Sequence, residues 1–145
     1  MTKHRILYCA YGHAACLILN ILIKNLNTNP DDVICFTYKH IENKPLIKEL
    51  EKFKVRYKTD NLNQEKSKFE INNFGPDVII SIYYRHLIPL EVLKMSHLGG
   101  FNLHPSLLPK YRGCFSAPWA IINGEKKTGI TYHYMNENFD DDNII

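Results

Sequence analysis

The sequence predicts an α/β domain whose largely parallel sheet carries helices on its faces. Three observations point there. Short β-like apolar runs alternate with helical segments along the chain. The run Val78-Ile79-Ile80-Ser81-Ile82 is apolar enough to lie buried on both sides, as central parallel strands do. Turn signals such as Gly75-Pro76 separate the runs.

Taken in order, Ile6 to Cys9 reads as the first strand, and Gly12 provides the turn after it. Ala14 to Lys24 is apolar nearly all round, which predicts a buried helix. Val33 to Thr37 is the second strand. Pro45 suits the first residue of a helix reaching Phe53, because its fixed φ matches that position. Val55 to Lys58 is a weaker third strand, and Leu62 to Phe74 has the spaced apolar residues of a surface helix. Gly75-Pro76 ends that helix, since Pro disfavours helical backbone in the residue before it. The Val78 to Ile82 strand follows, then a short helix from Pro89 to Met95 and a short strand from Leu98 to Phe101. That strand ends at the polar segment Asn102 to Pro105. Ala117 to Asn123 reads as a helix closed by Gly124, and Gly129 to Met135 alternates like a strand.

The chain has 145 residues, 45% hydrophobic and 23% charged, enough for one sizeable core, so residues 1–145 are read as a single domain. Net charge is +3, from 18 basic and 15 acidic side chains, too weak and too interspersed for a nucleic-acid footprint. Lys39 to Lys68 is the most basic stretch, and its intervening Glu residues favour a solvated face over an anion site. Cys9, Cys16, Cys35 and Cys114 show neither CxxC spacing nor a paired histidine motif, so no metal and no disulfide framework is implied, and a cytoplasmic setting is expected. The apolar stretch Ala14 to Ile23 is too short to span a bilayer, and no signal-peptide pattern is read at the start.

In a parallel α/β sheet, ligands gather at the carboxyl ends of the strands. Three loops lie there: Tyr11 to His13, Tyr83 to Ile88, and Asn102 to Gly113. The first holds a single glycine and no GxGxxG cradle. The third is richest, because Asn102 and His104, one residue apart, point to the same side of an extended backbone. Singly, each has a plainer reading, Asn102 as a turn former and His104 as a structural histidine. Asp140, Asp141 and Asp142 read as a solvated acidic turn unless one of them meets an imidazole.

The segment from Phe101, FNLHPSLLPKYRGCFSAPWAIINGEKKTGITYHYMNENFDDDNII, closely resembles the folate-dependent formyltransferases. It carries an N-x-H-P-S-L-L-P-x-Y-R-G block, a W-A-I-x-N-G-E-x-x-T-G-x-T block and a closing Met-x-x-x-x-Asp, and PDVIISIYYRHLIP fits as well. The resemblance implies a Rossmann-like formyltransferase fold, with 10-formyltetrahydrofolate as co-substrate. It implies Asn102, His104 and Asp140 as the catalytic set, and Tyr84, Leu87, Ile88, Ser106, Leu107, Leu108 and Pro109 as the folate site. Gly12, His13 and Arg112 are assigned to the acceptor substrate. The YRGCFSAPWAIINGE and TYHYM wording looks most like sugar-nucleotide N-formyltransferases acting on dTDP-linked 4-amino-4,6-dideoxy sugars in bacterial O-antigen synthesis. Methionyl-tRNA or glycinamide-ribonucleotide transformylation, or an inactive ligand-binding remnant, is the alternative. The family continues beyond this point, so the C-terminal end is expected to be incomplete, with a homodimer possible if the missing part is not required. Asp142 stands where the family has a glycine.

Overall fold

The computed structural model describes residues 4–136, 140 and 143–145. Strands β1 (Ile6–Ala10), β2 (Val33–Phe36), β3 (Arg56–Lys58), β4 (Val78–Ile82), β5 (Gly100–His104) and β6 (Thr131–Tyr134) form one six-stranded sheet in the order β3-β2-β1-β4-β5-β6. The first five are mutually parallel, and β6 runs antiparallel to β5. The predicted α/β class and its largely parallel sheet are therefore present.

Strand alternation divides the core between the two faces of the sheet. Ile6, Tyr8 and Ala10 of β1 pack with Leu19 of α1 (Gly12–Asn20) and with Leu46 and Leu50 of α2 (Lys44–Lys52). Leu7 and Cys9 pack on the other face with Ile71 of α3 (Glu65–Phe74) and with Val92 and Leu93 of α4 (Leu90–Leu93). Helix α5 (Ser116–Ile122) bridges β5 to β6.

Three local readings need correction. The first helix is not buried all round: Leu17 and Ile21 are exposed, and after Asn20 it continues as a π turn over Ile21–Asn25. The fifth strand starts at Gly100, two residues after Leu98, and runs through the supposed polar loop to His104. Gly99 is left-handed at φ +79°, which keeps it out of the strand, and a Cβ on Gly100 would stand 2.6 Å from Met135 Cε. Asn102 and His104 are thus strand residues, and their side chains inherit the strand's rigidity. The last strand spans Thr131–Tyr134 rather than Gly129 to Met135. After it, Tyr134 N donates to Asn143 O and Ile145 N to Tyr132 O, so the chain folds back along β6.

In the basic stretch, Lys52 pairs with Glu49, Lys58 with Glu70 and Lys66 with Asp60, which is the solvated face expected. Among the described residues no helix is long and apolar enough to cross a membrane.

Candidate functional site

Asn102 and His104 flank Leu103 on β5; Leu103 turns into the core while the other two face the opposite side. The antiparallel register places His133 of β6 directly across from Asn102. The return of the chain after β6 then sets Asp140 over the same strand end.

The result is one buried carboxylate ringed by donors. Asp140 Oδ1 accepts from Asn102 Nδ2 at 3.1 Å and lies 3.2 Å from His133 Nε2. Asp140 Oδ2 accepts from the Gly113 backbone N–H at 2.8 Å and lies 3.2 Å from His104 Nδ1. Burial pushes the Asp140 carboxyl up, but the His133 and Gly113 hydrogen bonds and the neighbouring imidazoles outweigh it and hold the group below its ordinary value. Asp140 is therefore ionised at neutral pH, and it is no solvated turn: it is 9% exposed. Asp141 and Asp142, including the position where the family has glycine, lie outside the described residues.

His104 is itself buried, and both its ring nitrogens face acceptors: Asp140 on one side, and Tyr111 O, 2.8 Å from Nε2, on the other. A doubly protonated ring donates to both, whereas a neutral ring satisfies one. His133 Nδ1 lies 2.6 Å from Tyr134 O, which leaves its Nε2 for the Asp140 and Asn102 side.

This group floors a cavity of about 280 Å³. Tyr84, Leu87 and Ile88 from the loop after β4 line it together with Cys114 and Phe115, and Tyr11 and Arg85 line the end nearest β1, its mouth. Four of the six described non-glycine residues with left-handed backbone are here: Tyr83, Tyr111, Phe115 and Asp140. Strain of this kind, about 1–3 kcal/mol per residue, persists where surrounding packing enforces it and gathers at functional sites. The Tyr84 ring stacks on Tyr38 at a centroid distance of 4.9 Å.

The structure thus brings together Asn102, His104 and Asp140, with Tyr84, Leu87 and Ile88 beside them. The other expected folate residues, Ser106, Leu107, Leu108 and Pro109, do not line this cavity. Ser106 is fully buried and its hydroxyl donates to Lys110 O, while Leu108 N donates to Thr131 Oγ1. Bonds between this turn and Thr131 tie it to β6. Of the expected acceptor residues, Gly12 (φ +76°) makes the turn into α1 and donates its N–H to Asn43 Oδ1. His13 and Arg112 are exposed, and neither lines the cavity.

Tyr11 and Arg85 fall in two of the loops expected at the strand ends, with no role assigned to either, and His133 is unassigned by the sequence reading. For His133 a signal existed, because in a strand containing Thr131 and His133 both side chains share one face. Among the described residues no cluster of three His, Cys, Asp or Glu is arranged to hold a metal ion.

Residues 20–145 match a family model described as formyl transferase. Over 142 residues the chain is 41% identical to a GDP-perosamine N-formyltransferase of Brucella melitensis, covering 97% of this chain and 54% of that protein. It spans about half the length of that relative. Among solved structures, phosphoribosylglycinamide formyltransferase from Bacillus halodurans superposes with a TM-score of 0.78 at 21% identity, covering 97% of this chain and 76% of the other. An N-formyltransferase from Helicobacter canadensis, in complex with folinic acid and dTDP-3-aminofucose, superposes with a TM-score of 0.77 at 23% identity, covering 98% and 51%.

Proposed function

The chain belongs to the formyl transferase family, and from that premise we propose that it moves the formyl group of 10-formyltetrahydrofolate to the amine of a nucleotide-linked amino sugar. The observation that carries this reading is the Asp140 carboxylate shared by Asn102, His104 and His133 on the cavity floor.

The co-substrate supplies a carbonyl carbon at the acyl level of oxidation. When an amine attacks that carbon, negative charge grows on the formyl oxygen. The new C–N bond forms as the amine nitrogen gives up a proton to the His104 imidazole, and the bond to the folate nitrogen breaks as that nitrogen takes the proton back from the ring. Asn102 is held by Asp140 at the cavity surface, so its amide is a preorganised donor for the developing oxyanion. His104, oriented by Asp140, takes up the amine's proton as an imidazolium once its Nε2 is released from Tyr111 O. The ionised Asp140 stabilises that imidazolium and fixes its orientation, the part a buried carboxylate takes beside a catalytic histidine.

For the acceptor, the relative named for GDP-perosamine and the neighbour solved with dTDP-3-aminofucose both support a nucleotide-activated amino sugar. We extend this to a 4-amino-4,6-dideoxy sugar carrying GDP or the dTDP of the sequence expectation, in a cytoplasmic step of bacterial surface-polysaccharide synthesis. Buried, unpaired Cys9, Cys16 and Cys35 suit that reducing setting.

The test is a formylation assay with 10-formyltetrahydrofolate against GDP- and dTDP-linked 4-amino sugars and glycinamide ribonucleotide, read as mass gain of the acceptor. Formylated sugar nucleotide, lost in His104→Asn, is expected. Formylation of glycinamide ribonucleotide alone overturns the sugar reading, and no transfer to any acceptor overturns the enzyme reading.

A further inference from the structure

Beyond the cavity floor, a second cluster closes the mouth over β1, β2 and β4, and the transfer chemistry uses none of it. Tyr11, just after β1, is buried, and its hydroxyl donates to Glu42 Oε2 at 2.7 Å and lies 3.1 Å from His40 Nδ1. The Arg85 guanidinium, from the loop after β4, sits 4.3 Å from the centroid of the Tyr11 ring and 3.7 Å from Glu42 Oε2. Tyr38 packs edge-on against Tyr11, and its hydroxyl accepts from Arg85 N. Underneath, the fully buried Asn43 ties the loops together: its Oδ1 accepts from Gly12 N, and its Nδ2 donates to Thr37 Oγ1 and Tyr38 O.

Three features of this mouth point to a ligand. Both Tyr11 and Arg85 line the same cavity as Asn102 and His104, so the two regions are continuous. From β5 across β4 and β1 to β2 is three strand spacings, about 14 Å, within reach of a diphosphate-linked sugar whose amine lies on the cavity floor. Finally, Glu42 meets Tyr11 and Arg85 through Oε2 and does not itself line the cavity, and its side chain is 64% exposed beside a planar guanidinium, so a ligand reaching out past Arg85 meets its carboxylate.

We propose that this mouth holds the guanine base of the acceptor nucleotide, with Glu42 as the reader of its Watson–Crick edge and Arg85 as its stacking surface; the proposal rests on the nucleotide-sugar reading of the site. Guanine presents two adjacent donors, N1–H and the N2 amino group, which a carboxylate accepts as a pair. Thymine presents one donor, N3–H, between two carbonyl oxygens that the same carboxylate repels. A guanidinium stacks on a flat purine face more extensively than on a pyrimidine. Glu42 therefore selects the base, while the floor around Asp140 handles the amine.

The test is titration calorimetry of the full chain with GDP, IDP and dTDP, in wild type and in Glu42→Gln. IDP lacks the N2 amino group. The glutamine keeps an oxygen for the Tyr11 hydroxyl but loses the paired acceptor. Folinic acid binding is measured in parallel as a readout of an intact cavity. The expected result is GDP binding roughly tenfold or more tighter than IDP and dTDP, with Glu42→Gln removing that preference and leaving folinic acid affinity in place. Equal affinities for the three nucleotides, a GDP preference that survives Glu42→Gln, or no nucleotide binding by a chain that binds folinic acid overturns the proposal. A Glu42-dependent GDP preference in a chain that transfers no formyl group supports it while overturning the formyl-transfer reading, so the two fail separately.

Discussion

The cavity floor and the cavity mouth are built from the same kinds of side chain, a carboxylate with histidines and hydrogen-bonding partners, yet to opposite physical ends. At the floor Asp140 is 9% exposed and receives donors on both oxygens. At the mouth Glu42 is mostly exposed, with one oxygen engaged. Its carboxyl too sits below its ordinary value, chiefly through the Tyr11 hydroxyl. Burial makes the floor a fixed electrostatic device whose members cannot be altered singly, because each loss strands a buried partner. Exposure makes the mouth adjustable, since water replaces a lost contact there. One region is suited to chemistry that must not vary, the other to a choice of substrate.

That contrast breaks first at the floor. Asn102→Ala and His104→Ala are each expected to lower turnover by roughly 100- to 1000-fold, as loss of an oxyanion donor does, with folinic acid binding retained by calorimetry. Near-normal turnover in either variant would remove the floor from the chemistry. His133→Ala deletes a positioning residue, and steady-state kinetics are expected to show a smaller fall, roughly 10- to 100-fold in kcat. Asn43→Ala, under the mouth, is expected to raise KM for the sugar nucleotide several-fold and leave kcat nearly unchanged, because it loosens the Tyr11–Gly12 turn without touching β5. At the small end, Tyr11→Phe removes the hydroxyl's contacts to Glu42 and His40, where water can replace them, and a change of no more than about threefold in KM is expected.

The floor also carries a pH signature. Asp140's carboxyl is depressed in the folded chain, so its contribution to stability is present above the unfolded carboxylate value of about 4 and is lost as pH falls through the lower folded value. Thermal melting from pH 7 downward is expected to show wild type losing stability steeply on acidification and Asp140→Asn losing less. Parallel curves would mean that the carboxylate is not held as described.

How much of this the sequence discloses differs between the two regions. At the floor, Asn102 and His104 are legible because their spacing is local and strand geometry converts it directly into shared orientation. Asp140 is legible by resemblance alone, since its approach depends on the chain returning along β6, 38 residues from Asn102. His133 escapes notice because only the antiparallel register puts it opposite Asn102. At the mouth nothing is local: Tyr11, Glu42 and Arg85 come from three loops that parallel strand order brings together. The fold follows the same rule. β4 is read with its observed ends because its apolar run is continuous, whereas the start of β5 is misplaced because Gly99 and Gly100 interrupt the pattern and polar Asn102 and His104 mimic a loop.

In the proposed reaction the Asp140 carboxylate organises formyl transfer to an amino sugar. Single-turnover transfer of isotopically labelled formyl from 10-formyltetrahydrofolate to a GDP- or dTDP-linked 4-amino sugar, in wild type beside Asp140→Asn, tests it most directly. The predicted result is labelled sugar nucleotide from wild type and a rate at least about 100-fold lower from Asp140→Asn, with both proteins binding folinic acid. Equal rates from the two proteins would contradict it.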